Sequence, residues 1–204
     1  MFTPKFQMNW PALFNAVPKD NDKPDGDKEY RVEAVFPYGL DNPAFDEMKA
    51  EAEKAMIKEF GTDKAAWPSG WHNPFRDQKD KMKNGKLPPM YKAGNIFVTF
   101  KKKYDPRRGS PGVVDSGATG EVREISVADQ HKVYSGRWAV ADVTAAAYDN
   151  KTKGVSFWLN HIQILDDEHE PWDNRTNAKD VFKPVEKSGV GAGTGGKPAT
   201  SAFG

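Results

Sequence analysis

The sequence predicts a mainly β protein that contains one clear helix. Three observations support this fold class. Several short segments alternate polar with apolar residues, which is the pattern of half-buried strands. Only residues 43–60 carry apolar side chains at helical spacing. Most of these segments end at proline, glycine or asparagine, which are typical of turns.

The first two predicted strands lie on either side of a polar loop. Residues 5–10 (KFQMNW) alternate polar with apolar side chains and predict a strand. Residues 18–29 consist largely of charged residues and turn formers, so we expect a loop there. Residues 30–36 (YRVEAVF) alternate again, and Pro37 closes this second strand.

The helix is predicted to run from about Pro43 to Phe60. Asn42 can cap its first turn, and proline suits the first helical position. Gly61 is a typical residue for the helix end. We expect the apolar stripe of this helix to pack on the core; it consists of Phe45, Met48, Ala52, Ala55, Met56 and Phe60.

The next part of the chain predicts a long insertion and then a strand. Residues 61–93 show no clear period, and we expect a long, partly ordered loop. Residues 95–104 predict a strand, with Ile96, Val98 and Phe100 on one face. Phe97, Lys101 and Lys103 fall on the opposite face of this strand.

The last predicted strands form a hairpin. Residues 113–114 and 121–127 predict two short strands before it. Residues 137–148 alternate in a longer strand, residues 149–154 form the turn, and residues 155–165 return. Ala145, Ala146 and Ala147 would also suit a helix, but the preceding alternation and the following turn favour a strand.

The chain is predicted to hold one domain and a tail. Its 204 residues suit a single domain, which we place at residues 1–185. Residues 186–204 are rich in glycine, alanine, serine and threonine and cannot bury much apolar surface. We therefore expect them to form a flexible tail.

Composition excludes several classes of site. The chain contains no cysteine, so disulfides, thiolate zinc sites and cysteine nucleophiles are excluded. Its apolar runs are too short to span a bilayer, and its first residues hold no secretory signal. We expect no cofactor, no membrane contact and a reducing cytoplasm as the simplest location.

Positive charge is concentrated in one short segment. Residues 76–108 carry 11 basic and 3 acidic side chains, a net charge of +8. The segments before and after it have net charges of −4 and −3, so the whole chain totals only +1. Such a concentration of cations indicates an anionic partner.

Cations interleaved with aromatic rings are what binding of single-stranded nucleic acid requires. Lysine and arginine neutralise phosphates, and aromatic faces stack on unpaired bases. The sequence lacks the helix-turn-helix, zinc-finger and RNP patterns of base-specific readers. The predicted DNA-binding residues are Arg76, Tyr91, Lys92, Phe97, Lys101, Lys103, Tyr104, Arg107, Arg108, Tyr134, Arg137, Trp138 and Tyr148.

Several stretches of the chain match a known family in order. They are TPKFQMNWPALF at residues 3–14, YRVEAVFP at 30–37, NPFRD at 73–77, RRGSPGVVD at 107–115 and VYSGRWAVADVTAAAYDNKTKGVSFWLNHIQIL at 133–165. With these stretches the chain resembles the phage-encoded single-stranded DNA-binding proteins with an OB-fold. The resemblance spans about residues 3–185.

The resemblance implies both a fold and a function. The fold would be an OB-fold-like, five-stranded Greek-key barrel with loop insertions. The protein would bind single-stranded DNA without strict sequence preference and protect it during phage replication or recombination, in the host cell cytoplasm. Weaker binding to duplex DNA and contacts with phage replication or recombination proteins are further expectations.

Two alternatives remain open from the sequence. Asp166, Asp167, Glu168 and Glu170 could hold Mg²⁺ in a metal-dependent nuclease, although such acidic runs are usually solvated. Alternatively, the basic segment could dock on an acidic protein surface, as in a structural or partner-binding phage protein. The four histidines are far apart and show no metal-ligand spacing, so we expect no metal site and no catalytic residues.

Overall fold

The structure is a computed structural model that describes residues 1–116, 120–166 and 172. One α-helix, α1, spans Asp46–Phe60. The strands in this described part are β1 (Phe6–Pro18), β2 (Lys28–Phe36), β3 (Arg76–Asp77), β4 (Ile96–Lys103), β5 (Gly112–Ser116), β6 (Val122–Glu124), β7 (Trp138–Asp149) and β8 (Lys153–Ile164).

Five of these strands close into a barrel. They pair in the order β4–β2–β1–β7–β8, and each of these contacts is antiparallel. A short parallel pairing of β4 with β8 closes the ring. The short strands are additions: β3 pairs with the start of β4, while β5 and β6 extend the sheet beyond β8. The prediction of a mainly β, OB-fold-like barrel with insertions is confirmed.

The barrel interior is filled by the inward residues of alternating strands. Phe6, Phe36, Phe100 and Phe157 are fully buried; Phe100 contacts Phe6 and Phe157 edge to face, with ring centroids 5.5 Å apart for Phe6 and Phe100, and Phe36 packs on Phe6 at a tilt. Helix α1 packs against β7 and β8. Since large aromatic rings bury much apolar area, these rings contribute strongly to the packing of the core.

The helix forms where the sequence predicts it, with a different first turn. Pro43–Phe45 form a 3-10 turn before α1, and the Asn42 side chain accepts a hydrogen bond from the Ala44 N–H at 2.9 Å. Phe45, Met48, Ala52 and Met56 are buried as expected, whereas Ala55 and Phe60 are half-buried.

The first strand is longer than predicted, because β1 continues through Pro11 to Pro18. Its register with β2 shifts between Asn9 and Ala12, which marks a β-bulge. A bulge accommodates proline within a sheet because the local hydrogen-bond ladder is interrupted. Residues 145–147 lie in β7, so the preference for strand over helix is confirmed.

The predicted loop at residues 61–93 contains short ordered elements. These are β3 and the 3-10 turns Lys64–Ala66 and Gln78–Lys81. Within the part of the chain described, no helix is both long and apolar enough to cross a membrane. The predicted tail, residues 186–204, lies outside the described residues.

Candidate nucleic-acid interface

A groove lies on the outer surface of the barrel where β4 meets β8. It comprises two adjoining cavities of about 490 and 400 Å³, which share Lys103 and Trp158. The β1–β2 loop, the β7–β8 turn and the segment after β4 line its sides. In OB-folds, oligonucleotides bind on the face of the second and third barrel strands, here β2 and β4, and on the loops that correspond to the β1–β2 loop and the β7–β8 turn. We call this surface the cationic groove.

The register of β4 and β8 decides which side chains face the cationic groove. Phe100 lies opposite Phe157, and both rings point into the barrel. The next pair, Lys101 and Trp158, therefore points outward, because successive side chains alternate between the two faces of a sheet. Trp158 is 38 % exposed at the centre of the groove.

Positive charge dominates the lining of the cationic groove. The described lining residues include eight lysine and arginine side chains and three carboxylates, which gives the lining a net charge of +5. The cations come from the β1–β2 loop, the start of β2, β4, the segment after β4 and the β7–β8 turn. They are Lys19, Lys28, Lys101, Lys102, Lys103, Arg107, Arg108 and Lys151, and the carboxylates are Asp27, Glu29 and Asp105.

One of these carboxylates holds the two arginines in place. Asp105 lies 3.3 Å from the Arg107 Nε atom and 3.7 Å from the Arg108 Nε atom. The backbone N–H of Arg107 donates to Asp105 at 2.9 Å and lowers the pKa of this carboxyl, and Arg108 adds to the effect. Both guanidinium groups remain largely exposed at the end of the groove, where they can contact phosphates.

Three aromatic side chains line the same surface. Tyr148 and Trp158 lie in the larger cavity, and Tyr104 lies with Trp158 in the smaller one. Tyr104 also contacts Tyr30, with ring centroids 6.1 Å apart. The cationic groove therefore combines the stacking faces and the cations that an unpaired strand requires.

The structure brings together six of the thirteen predicted site residues. They share the outer face of β4, the segment that follows it and the end of β7: Lys101, Lys103, Tyr104, Arg107, Arg108 and Tyr148.

Phe97 and Tyr91 are placed differently from the prediction. Their exposed fractions are only 2 % and 4 %, because residues 76–95 fold over the outer face of β4. The Arg76 guanidinium lies 5.2 Å and the Lys81 ammonium 4.3 Å from the Phe97 ring centre. Both rings are thus covered by protein, and bases cannot stack on them.

A buried polar cluster anchors the insertion formed by residues 76–95. The Tyr91 hydroxyl donates a hydrogen bond to the Glu33 carboxylate on β2, and Asn9 donates to the same carboxylate at 3.1 Å. Lys81 forms an ion pair with Glu33. Burial and the adjacent Glu33 carboxylate raise the pKa of Tyr91. The cluster fastens residues 81–91 to β1 and β2 and has a structural role.

The other two predicted cations of the insertion lie beside this cluster and outside the lining of the cationic groove. Arg76 forms an ion pair with Asp80 at 3.3 Å. Lys92 is exposed, and its backbone N–H donates to the Gln78 side chain at 2.7 Å.

Tyr134, Arg137 and Trp138 form a separate group at the opposite end of β7 from Tyr148. Tyr148 follows Trp138 by ten residues on β7, which is about 33 Å along the strand. Arg137 is 12 % exposed and forms an ion pair with Asp166 at 2.7 Å. The Lys5 ammonium lies 5.8 Å from the Trp138 ring centre. This group is therefore not part of the cationic groove.

Five cationic or aromatic residues of the cationic groove are absent from the predicted set: Lys19, Lys28, Lys102, Lys151 and Trp158. Trp158 alternates with buried Phe157 and Leu159, so a tryptophan on the polar side of β8 was a usable indication of function. Lys19 and Lys28 lie at the two ends of the β1–β2 loop, whereas Lys151 lies in the distant β7–β8 turn, and only the barrel topology brings them together.

The acidic cluster gives no support to a metal centre. Asp166 is engaged by Arg137, and Asp167, Glu168 and Glu170 lie outside the described residues. In the described part of the chain, no group of three or more histidine, aspartate or glutamate side chains could hold a metal ion. The nuclease alternative is not supported.

Comparisons with known proteins show the family of the chain. The sequence model of a family described as "Enterobacter phage Enc34, ssDNA-binding protein" matches residues 1–190. No curated protein sequence matches the chain.

Solved structures of phage proteins share the fold. The single-stranded DNA-binding protein of bacteriophage Enc34, in complex with ssDNA, aligns with a TM-score of 0.62 at 15 % identity, over 84 % of this chain and 88 % of that one. Gp2.5, a single-stranded DNA-binding protein of bacteriophage T7, aligns with a TM-score of 0.52 at 14 % identity, over 87 % and 96 % of the chains. The family prediction is confirmed: the chain belongs to the family of the Enterobacter phage Enc34 ssDNA-binding protein.

Proposed function

We propose that this protein binds single-stranded DNA along the cationic groove and carries out no catalysis. The observation that carries the proposal is that eight cations and three aromatic rings line two adjoining cavities, which share Lys103 and Trp158. Membership of a family of ssDNA-binding proteins supports the same ligand.

The chemistry of the lining indicates binding with little sequence preference. Lysine and arginine contact phosphates, which are identical at every nucleotide. Tyr104, Tyr148 and Trp158 offer ring faces, and every base has a π-face on which a ring can stack. Duplex DNA would bind more weakly, because its bases are already stacked on one another and cannot reach these rings.

The biological role follows from this binding mode. A protein that covers unpaired strands would protect them during phage replication or recombination, in the host cell cytoplasm. Replication or recombination proteins that act on the same strands are the expected protein partners.

A fluorescence anisotropy titration tests the proposed function. A labelled oligo-dT of about 20 nucleotides and a hairpin duplex of equal length are titrated with the full chain at 50 and 200 mM salt. We expect tighter binding of oligo-dT than of the duplex, and a steep loss of affinity with salt. Equal affinity for both ligands, or no binding of oligo-dT at micromolar protein, would refute the proposal.

A further inference from the structure

Trp10 is an exposed tryptophan on the barrel, outside the lining of the cationic groove. Its side chain is 66 % exposed, although it lies within β1. Its φ angle is +45°, in the left-handed region that residues with a Cβ atom rarely adopt. Such conformations cost free energy and concentrate at functional sites.

The β-bulge explains why Trp10 is exposed. Met8 and Leu13 on the same strand point into the barrel and are buried. In an unbroken strand Trp10 would follow Met8 into the core, because side chains two residues apart share a face. The register shift between Asn9 and Ala12 sets Trp10 and Pro11 together in the bulge, and bulges redirect side chains in this way. The ring is thereby presented to solvent.

A row of paired strand residues, two of them cations, leads from the cationic groove to this bulge. Trp158 pairs with Lys101, Lys101 pairs with Arg31, and Arg31 pairs with Ala12. Residues directly opposite one another in a sheet share a face, so this row crosses the outer surface of β8, β4, β2 and β1. Three strand spacings separate its ends by about 14 Å, which is about four rises of a stacked strand of DNA. Trp10 lies two residues before Ala12, at the β1 end of the row.

Residues 76–95 cover the part of the sheet face next to this row. The neighbouring outward residues Asn9 and Glu33 are buried under Tyr91 and Lys81. A strand that leaves the groove towards β1 therefore passes over Lys101 and Arg31, beside the covered half of the face. Arg31 lies 3.7 Å from Glu29, and its side chain remains partly exposed.

We infer that Trp10 is a second aromatic platform for single-stranded DNA. A strand bound at Trp158 would run transversely over Lys101 and Arg31 and stack a base on the Trp10 ring. This inference rests on the proposed function, since it extends the same binding site. It also gives a reason for the redirected tryptophan and its strained backbone.

Replacement of Trp10 by glycine tests the inference in the full chain. Glycine adopts a positive φ without penalty, so the W10G variant should fold at least as well as the wild type. We expect W10G to bind oligo-dT about fivefold to a hundredfold more weakly, the cost of one lost stacking contact. The dependence of affinity on salt should stay unchanged, because no phosphate contact is removed.

Two further variants complete the test. W10F should lie between the wild type and W10G in affinity, and it should show less quenching of tryptophan fluorescence on binding. V122A, at an equally exposed apolar position on β6, should bind like the wild type. If W10G fails to fold by circular dichroism, the quenching of W10F decides: undiminished quenching overturns the inference.

The outcomes separate this inference from the proposed function. If W10G binds within twofold of the wild type while W158A binds weakly, Trp10 makes no contact and the cationic groove stands. If the wild type itself binds no oligo-dT, the proposed function fails instead.

Discussion

Neutralising Lys101 and Lys103 is the sharpest test of the electrostatic part of this account. Both side chains face the cationic groove from the outer surface of β4. Each phosphate contact on a single strand contributes about 0.7 to the slope of log affinity against log salt. With one phosphate neutralised per unit of net positive charge, the net charge of +5 in the groove predicts a slope of about −3.5 for the wild type.

The K101Q/K103Q variant leaves a net charge of +3 and should reduce the slope to about −2.1. Between 50 and 200 mM salt, affinity for oligo-dT should then fall about twentyfold, against about a hundredfold for the wild type. The assay is the anisotropy titration at four or more salt concentrations, because the slope requires several points.

A matched control is available on α1. Lys54 and Lys58 are exposed on this helix, outside the lining of the groove, so K54Q/K58Q changes the net charge of the protein equally. The control should keep the wild-type slope. The reasoning is refuted if K101Q/K103Q also keeps the wild-type slope, or if both double variants reduce it equally.

Three further predictions concern single side chains. W158A should lose about 1–3 kcal/mol of binding free energy for oligo-dT, with a stability close to that of the wild type because the ring faces outward; unchanged affinity would remove Trp158 from the site. F100A should reduce the free energy of unfolding by about 3–5 kcal/mol in denaturant titrations, since Phe100 is fully buried and contacts the rings of Phe6 and Phe157; a loss below 1 kcal/mol, of about the size of a surface change, would argue against the barrel core. Y91F should destabilise the fold by about 1–3 kcal/mol at pH 8, because the Glu33 carboxylate loses a buried donor. Because the pKa of Tyr91 is raised, the folded protein keeps a proton that the unfolded chain releases near pH 10. The wild type should therefore lose more stability than Y91F between pH 8 and pH 11. Equal losses of stability would contradict the raised pKa.

The buried face of the strand at residues 95–104 and the position of the helix could be predicted because both depend on local periodicity. The alternation in residues 95–104 assigned Ile96, Val98 and Phe100 to the core, and all three are buried. The helical stripe and the Asn42 cap gave the helix within a few residues. These features depend on neighbours within one turn or one strand, which a single sequence contains.

Contacts between distant parts of the chain limited prediction of the site. Phe97 lies on the outer face of β4 as predicted, yet residues 76–95 cover it, and no local pattern indicates that packing. Trp138 and Tyr148 lie on one strand, but its length places them at opposite ends. Lys19 and Lys151 join the groove only because the barrel closes through β4 and β8.

Ultraviolet crosslinking tests most directly whether single-stranded DNA occupies the cationic groove. The full chain is irradiated in complex with oligo-dT, and the crosslinked peptides are identified by mass spectrometry. If single-stranded DNA binds in the cationic groove, we expect crosslinks in peptides that contain Tyr104, Tyr148 and Trp158. Crosslinks confined to the peptides of Tyr134 and Trp138, at the other end of β7, would contradict it.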